Sequence, residues 1–320
     1  MKSPRLVSCG HCRHVWEHKG RATPKRCPLC GSVDLVMASK AKTTKAKSRS
    51  KVNVEPEWSD EQLAIHDWFK TSDTGCAVQR ARAGSGKTTT NVYGLSLAPE
   101  SRTLMCAFNN HIVSDIKRKI RNKSIEVRTL HSLGNMFVVK AWPAAKLVLP
   151  PQRSRAYRLA WKSVENSLAP AHIVSLITKL SDKIKMIHPL ATKVEEVISL
   201  AFQFDCIPEK EENKLGWYVE DVCEKALWVV DKSCEYDGLY DFSDQLCLPI
   251  RLSLVSPIYQ LIVIDEAQDM SFSQILLAQR ALLPGGRIGV VGDDRQAIYG
   301  FRGADSGSID RLKVELQATE

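Results

Sequence analysis

The first residues with an evident chemistry are residues 81–88, which read Ala-Arg-Ala-Gly-Ser-Gly-Lys-Thr. Glycines in such a loop let the backbone curl, so that successive N–H groups face one anion. Lys87 is placed to reach the β- and γ-phosphates of a nucleotide, and the Thr88 hydroxyl to ligate Mg²⁺. A helix predicted to begin at Lys87 directs its positive dipole end toward the same phosphates. The segment predicts a phosphate-binding loop, although Ala81 stands where the usual pattern has glycine. The residues expected to contact the nucleotide here are Ala83, Gly84, Ser85, Gly86, Lys87, Thr88 and Thr89.

Two carboxylates follow a strongly apolar run much later in the chain. Residues 261–264 read Leu-Ile-Val-Ile and lead directly into Asp265 and Glu266. A buried strand that delivers two carboxylates at its C-terminal end is the second half of such a nucleotide site. We expect Asp265 to hold Mg²⁺, directly or through water, and Glu266 to polarise the attacking water.

Two glutamines extend this predicted site. Ser59 is a plausible N-cap for a helix that contains Gln62, and an amide can both donate to and accept from the edge of adenine. A solvated helix glutamine is the alternative at this position. Gln296 follows the apolar strand predicted at residues 287–291, where it can touch the γ-phosphate.

Aromatic residues follow two of the predicted strands. Phe108 ends the strand predicted at residues 103–108, at the edge where open α/β sheets bind ligands. It either contacts a ligand or packs in the core. Tyr299 and Phe301 follow Gln296 by three and five residues, and an exposed aromatic ring there can stack on a nucleobase.

Four of the ten cysteines form two pairs near the N-terminus, each with the spacing Cys-x-x-Cys. Four thiolates close a tetrahedral structural Zn²⁺ site, so residues 1–37 are predicted to form a zinc ribbon. A pair of redox dithiols is the competing interpretation, but no βαβ pattern surrounds either pair. The predicted ligands are Cys9, Cys12, Cys27 and Cys30.

Positive charge is concentrated in the same N-terminal region. The chain has a formal net charge of +9, yet residues 1–51 hold 13 lysines and arginines against two acids. Residues 38–55 have almost nothing apolar to bury and are predicted to form a disordered basic tether. Such an arm favours a polyanionic partner, most often nucleic acid; a solubilising tail is the alternative.

Composition and hydropathy restrict the class of protein. With 320 residues the chain can bury a real core in two or three domains. Its apolar runs are far too short to span a bilayer, and no apolar signal segment follows the N-terminus. We therefore expect a cytoplasmic protein whose cysteines are metal ligands or buried thiols.

Helical periodicity interrupts the alternation of strands and helices from residue 150 to residue 237. Apolar residues recur there at helical spacing, as in the stripe from Ile173 to Ile184. The predicted architecture is an α/β nucleotide-binding domain over residues 56–149 and 238–320, with a parallel sheet. Residues 150–237 are predicted to be an inserted helical subdomain.

The order of these motifs resembles that of superfamily 1 helicases of the UvrD/Rep/PcrA group, over about residues 57–318. The segments that carry the resemblance are Gln62, the loop 81–88, residues 106–110, Thr-Leu-His-Ser at 129–132, Asp-Glu-Ala-Gln-Asp at 265–269, and Gly-Asp-Asp-Arg-Gln-Ala-Ile-Tyr-Gly-Phe-Arg-Gly-Ala at 292–304. The resemblance implies a RecA-like fold, a helical insertion like the family's 1B subdomain, ATP and Mg²⁺ as cofactors, and single-stranded DNA as partner.

The resemblance also implies roles for single residues. Gln62 would read adenine, Lys87 and Thr88 would serve phosphate and Mg²⁺, and Asp265 and Glu266 would be the metal-binding carboxylate and the catalytic base. Gln296 would sense the γ-phosphate, and Arg302 would couple ATP to DNA. The residues implied in DNA binding are Phe108, Asn110, His131, Tyr299, Phe301 and Arg302, with Phe301 standing where relatives usually carry Trp.

The chain departs from the family pattern in the polar residues Gln79, Arg80 and Arg82 of its first motif strand and, more seriously, near its end. It stops soon after the third motif strand, so the second RecA-like domain, with its arginine fingers, is expected to be missing or supplied by another chain. The ending Tyr-Gly-Phe-Arg-Gly-Ala fits the 3′→5′ group. Two rival functions stay open: a zinc-ribbon DNA-binding or regulatory module that binds ATP without unwinding, and, less favoured, a P-loop kinase.

Overall fold

The computed structural model describes residues 57–71, 75–82, 84–148, 154–165, 167, 169–293 and 308–319, and the backbone of three short N-terminal strands. These strands are β1 (Arg5–Cys9), β2 (Val15–His18) and β3 (Leu35–Met37). They form an antiparallel sheet in the order β2-β1-β3, within a compact unit covering residues 1–57. Of the four predicted zinc ligands, only the backbone of Cys9 is described; Cys12, Cys27, Cys30 and the tether at 38–55 lie outside the described residues.

A five-stranded parallel sheet forms the centre of the second unit, which covers residues 58–320. Its strand order is β4-β10-β9-β5-β6, and every neighbouring pair is parallel. This confirms the predicted α/β class with a parallel sheet, and a two-stranded parallel pair, β7 with β8, lies apart from it. The strands are β4 (Ala77–Arg80), β5 (Thr103–Cys106), β6 (Ile125–Arg128), β7 (Lys146–Leu147), β8 (Leu239–Tyr240), β9 (Tyr259–Ile264) and β10 (Leu282–Gly292).

Helices connect the strands, and several begin where the sequence has a capping side chain. The Ser59 hydroxyl accepts from the Gln62 N–H and the Gln62 side chain accepts from the Ser59 N–H, so the first helix opens with the predicted N-cap in a capping box. The helices are α1 (Asp60–Lys70), α2 (Lys87–Leu97), α3 (Asn110–Lys119), α4 (Leu130–Ala141), α5 (Arg155–Ser163), α6 (Ala171–Ile187), α7 (Val194–Gln203), α8 (Lys210–Lys214), α9 (Val219–Ser233), α10 (Asp244–Arg251), α11 (Phe272–Ala281) and α12 (Ser308–Glu315), with a short 3-10 helix at Ala267–Asp269. Among the described helices none is both long and apolar enough to cross a bilayer.

One strand is shorter than predicted. The expected strand at residues 103–108 ends at Cys106, and Phe108 lies beyond it. The physical reason is that the Asn109 side chain caps α3 by accepting from the Ile112 N–H at 2.9 Å. The chain must leave the sheet before Asn109 to make that cap.

The helices between residues 155 and 233 enclose a hydrophobic core of their own. Its buried members include Ile177, Leu180, Val222 and Val230, which lie on the predicted apolar stripes of α6 and α9. Cys247 of α10 joins the same cluster, so this helical block packs onto the segment that returns the chain to the sheet.

Buried charges join the helical block to α10. The Lys185 Nζ lies 2.7 Å from the Asp244 Oδ1, and both side chains are fully buried. Burial disfavours the charged ammonium, but the carboxylates of Asp244 and Asp182 outweigh that effect and raise the pKa of Lys185. Burial also raises the pKa of the Asp182 carboxyl, despite the nearby ammonium. The buried ammonium therefore forms an ion pair with Asp244 and lies close enough to Asp182 to interact with it electrostatically.

Replacing this cation tests how much the pair stabilises the junction. Lys185→Met keeps most of the volume but leaves buried carboxylates without their ammonium, and the free energy of unfolding should fall by about 3–5 kcal/mol at neutral pH. Because raised carboxyl pKa values mean proton uptake by the folded state, the loss should shrink as the buffer becomes more acidic. Urea denaturation at several pH values measures both effects.

The control substitution is Lys179→Met on the exposed side of the same helix. It should change the free energy of unfolding by no more than about 0.5 kcal/mol. Equal losses from the two variants would contradict a special role for the buried pair.

Candidate nucleotide and nucleic-acid site

The loop between β4 and α2 has the backbone that an anion cradle needs. Gly84 and Gly86 have φ values of 77° and 82°, in the left-handed region that favours glycine. Gly86 is the N-cap of α2 and brings no capping side chain to the first N–H groups. These groups and the helix dipole therefore face the loop, as anion binding at a helix N-terminus requires. Ser85 and Thr89 lie beside them, and Ala83 lies outside the described residues.

The loop and the end of β9 meet through two polar contacts. The Thr88 Oγ1 donates to the Asp265 Oδ2 at 2.8 Å. The Lys87 Nζ lies 3.6 Å from the Glu266 Oε2. Four residues predicted from two distant segments are thus neighbours at one edge of the sheet.

Asp265 is nearly inaccessible to water, with 4% of its surface exposed. Burial raises the pKa of its carboxyl, while the hydrogen bond from Thr88 acts in the opposite direction. A divalent cation beside this carboxylate would reverse the effect of burial, because the ion's charge favours the ionised form. A hydroxyl and a carboxylate are hard oxygen donors, so the pair fits Mg²⁺ chemically.

Glu266 is held in an unusual backbone conformation. Its φ of 56° and ψ of 45° lie in the left-handed region, which non-glycine residues seldom occupy. The Glu266 N–H donates to the Asp265 Oδ1 at 3.0 Å, and the Gln268 Nε2 donates to the Glu266 Oε2 at 2.7 Å. Backbone and side chain are therefore fixed separately.

Gln268 is a residue that the sequence did not single out. Its side-chain amide is buried, and its Oε1 accepts from the backbone N–H of Asp293 at 3.1 Å. One amide thus joins Glu266 to the end of the neighbouring strand β10. No sequence signal marks this role, because Asp293 is far from Gln268 along the chain.

Gln62 braces the loop in this structure. Its Nε2 donates to the Ser85 carbonyl at 3.2 Å and to the Thr90 Oγ1 at 3.1 Å, and its Oε1 accepts from the Ser59 N–H at 3.1 Å. The amide predicted to read adenine therefore contacts the phosphate loop itself, so reading a base would require exchanging one of these hydrogen bonds.

Aromatic and polar side chains occupy the ends of the next two strands. β5 and β6 are parallel neighbours, with Cys106 opposite Arg128. Phe108 follows β5 by two residues and is half-buried, whereas Asn110 is the exposed first residue of α3. His131 lies in the first turn of α4, directly after β6. The register therefore brings these three predicted DNA contacts to the same edge of the sheet.

Phe242 extends this edge and was missed by the sequence analysis. Its ring stacks on that of His131, with centroids 4.0 Å apart and planes 17° apart, and 55% of its surface is exposed. We call His131 and Phe242 the aromatic pair. The sequence carried no signal for Phe242 beyond its place in Tyr-Asp-Phe-Ser-Asp at 240–244, where the chain returns toward the sheet.

Close backbone packing makes the aromatic pair possible. A Cβ added to Gly134 of α4 would lie 1.9 Å from the Gln245 carbonyl of α10, so only glycine allows these helices to approach so closely. The segment before α10 is fixed by Asp241, whose carboxylate accepts from the N–H groups of Arg155 and Ala156 at 2.7 and 2.6 Å.

The other predicted site residues lie outside the described part of the chain, namely Gln296, Tyr299, Phe301 and Arg302. Within the described part, no group of three or more His, Cys, Asp or Glu residues is arranged to hold a metal ion.

Comparison with known proteins identifies the family. The profile of the UvrD/REP helicase N-terminal domain matches residues 69–317, more than three quarters of the chain. The chain belongs to the UvrD/REP helicase family. The match covers the phosphate loop and the carboxylates of β9, and within this family the parallel sheet corresponds to a RecA-like fold.

Individual relatives of this UvrD/REP family member are similar over parts of their length. A DNA helicase II from Rickettsia typhi is 25% identical over 261 residues, which are 74% of this chain and 37% of that protein. The DNA helicase II of Escherichia coli is 33% identical over 112 residues, 32% of this chain and 15% of that protein. The ATP-dependent DNA helicase srs2 of Schizosaccharomyces pombe is 27% identical over 157 residues, 48% and 16% of the two chains. The chain thus spans well under half the length of the relatives it matches.

Proposed function

We propose that this chain is the ATP-hydrolysing part of a DNA helicase or translocase that acts on single-stranded DNA. The observation that carries the proposal is the contact between Thr88 and Asp265, with Lys87 beside Glu266, at the sheet edge that also bears the aromatic pair. An ATP site and a surface for nucleobases on neighbouring strand ends are what a motor on DNA needs.

The proposed chemistry is attack of water on the γ-phosphate of ATP, which breaks the bond to the β,γ-bridging oxygen and releases ADP and phosphate. Lys87 and the N–H groups at the start of α2 bind the phosphates and orient them. Glu266, held by Gln268, accepts the proton of the attacking water. Thr88 and Asp265 would hold Mg²⁺, which when bound would spread the negative charge that develops on the phosphates. Gln296 is proposed to sense the γ-phosphate, by resemblance to the family.

Exchanging the proposed base for its amide tests this assignment. Glu266→Gln keeps the shape but cannot accept a proton, so ATP hydrolysis should fall by about 10²–10⁴ while nucleotide binding is kept. Lys87→Ala should instead weaken nucleotide binding, because the phosphates lose their cation. DNA-stimulated phosphate release and binding of a fluorescent nucleotide measure the two effects.

The matched control is Glu224→Gln, an exposed carboxylate on α9. It should hydrolyse ATP at the parental rate. Turnover by Glu266→Gln at the parental rate would refute the proposed base. A parent that binds ATP and DNA without hydrolysis in any form would favour the alternative, a DNA-binding or regulatory module.

The aromatic pair is the proposed stacking surface for DNA bases, together with Phe108 and Asn110. Exposed rings bind single strands with little sequence preference, because every base has a face on which it can stack. The Phe242 ring stacks on that of His131, and 55% of the surface of Phe242 is exposed. Tyr299, Phe301 and Arg302 are proposed DNA contacts by resemblance only.

Removing the aromatic ring of Phe242 tests the proposed DNA-binding surface. Phe242→Ala should weaken binding of a fluorescent oligothymidylate by about 1–3 kcal/mol, the usual loss for one stacked base. Tyr236→Ala is the control, since Tyr236 is similarly exposed but its ring lies against Trp142. Fluorescence anisotropy at one fixed salt concentration gives both affinities. Equal affinities of the two variants would exclude a role of Phe242 in stacking.

The direction of movement and the second half of the motor are proposed from the resemblance. A 3′→5′ direction follows the family group, and a second RecA-like domain would supply the arginine finger, which typically contributes about 10³–10⁵ in rate. The 320-residue polypeptide tested by itself should then bind ATP and separate no strands. Unwinding of duplexes with a 3′ or a 5′ tail, with and without a chain bearing that domain, distinguishes these outcomes.

Zinc binding is proposed for the N-terminal unit. The spacing of Cys9, Cys12, Cys27 and Cys30 supports it, and so does the three-stranded antiparallel sheet in which β1 ends at Cys9. Metal analysis of protein purified without added zinc should give one Zn²⁺ per chain. Cys27→Ser should lower that value. Cys234→Ser is the control and should not lower it, because Cys234 is a free cysteine at the C-cap of α9. Zinc-free parent protein would contradict the proposal.

A further inference from the structure

A second concentration of positive charge lies within the body of the protein. Residues 115–128 contain six lysines and arginines against two acids, whereas residues 52–320 as a whole have slightly more acids than bases. This charge is separate from the N-terminal arm, and the proposed ATP site uses none of it. The six are Lys117, Arg118, Lys119, Arg121, Lys123 and Arg128.

Most of these cations are exposed and few are neutralised. Arg118 pairs with Asp115 at 2.5 Å, and Arg128 pairs with Glu126. No carboxylate of the described residues lies within ion-pair distance of the others, which are Lys117, Lys119, Arg121 and Lys123. Their field is therefore available to a polyanion.

Several of these cations line a groove at the open edge of the parallel sheet. Among the described strands, β6 is the last in the sheet order and has β5 as its single partner. The groove beside it encloses about 450 Å³. We call it the edge groove; its polar lining residues are Lys117, Asn122, Lys123, Glu126, Arg128 and Ser132.

The edge groove begins next to the aromatic pair. Ser132 follows His131 in α4, and the Arg128 Nη1 donates to the Ser132 carbonyl at 3.5 Å. At the other end, Lys117 is seven residues along α3 from Asn110, a rise of about 10 Å. A strand of nucleic acid that stacks on the aromatic pair therefore reaches these cations within a few nucleotides.

We propose that the edge groove is a phosphate-binding track that carries single-stranded nucleic acid beyond the aromatic pair. Lys117 and Lys123 bind backbone phosphates, and Arg128 stays bound to Glu126 at the start of the track. The proposal rests on the proposed binding of single-stranded DNA at the aromatic pair, but it needs neither ATP nor turnover. Its rival is that lysines here only prevent other strands from pairing with the open edge of β6.

Neutralising two lysines in the intact 320-residue protein tests the track. Each phosphate of a single strand that the protein no longer neutralises should lower the slope of log affinity against log salt by about 0.7. For Lys117→Gln with Lys123→Gln the slope should fall by about 1.4, so that the drop in affinity between about 50 and 200 mM salt becomes about sevenfold smaller. The ligand is an oligothymidylate long enough to extend past the aromatic pair.

The control changes the net charge equally on another helix, α8, which does not line the edge groove. Lys210→Gln with Lys214→Gln neutralises two lysines of α8 and should leave the slope unchanged. Because the N-terminal arm is present in every variant, its contribution cancels. Equal changes in both double variants, or no change in either, would overturn the proposal.

Lysine acetylation followed by mass spectrometry gives a reading at single residues. The oligothymidylate should protect Lys117 and Lys123 from the reagent and leave Lys210 and Lys214 reactive. Protection by a blunt duplex alone, or no protection, would overturn the track. If Phe242→Ala still weakens binding in that case, the proposed DNA function stands while the track fails.

Discussion

The alignment of β9 between β10 and β5 is the constraint on which the candidate site depends. Leu261, Ile262 and Val263 are fully buried, so β9 cannot shift its register without exposing apolar side chains or breaking hydrogen bonds on both sides. This alignment delivers Asp265 to the edge where β4 leads into the phosphate loop. The Thr88–Asp265 contact is then a consequence of sheet topology, because the C-terminal ends of parallel strands meet at one edge.

A second constraint is electrostatic and fixes the sheet edge that bears the aromatic pair. Lys185 and Asp244 bury opposite charges, and Asp241 caps the N-terminus of α5. Buried ion pairs seldom stabilise more than apolar residues of the same shape, but breaking one is costly. We interpret these buried contacts of Lys185, Asp244 and Asp241 as restricting residues 239–244 to one conformation. That conformation leaves Phe242 half exposed and stacked on His131.

The sequence correctly predicted features that depend on residues close together in the chain, such as helix caps, helix starts and apolar runs. Ser59 caps α1, α2 begins at Lys87, and the apolar run at 261–264 lies within β9. The strand predicted to reach Phe108 was two residues too long, since hydrophobicity continues where the Asn109 cap already turns the chain. The zinc ligands, Gln296 and the aromatic residues 299 and 301 stay predictions.

The sequence by itself determined the kinds of residue in the site, their order and the α/β class, because these depend on hydrophobic period and on motifs a few residues long. Only the tertiary structure decided which of them are partners. Side-chain contacts join Gln62 to Ser85, Gln268 to Asp293 and Thr88 to Asp265, whose positions in the chain differ by 23, 25 and 177. The pairing of Phe242 with His131 likewise exists because Gly134 lets α10 approach α4. Such contacts result from packing of distant elements, which no local pattern encodes.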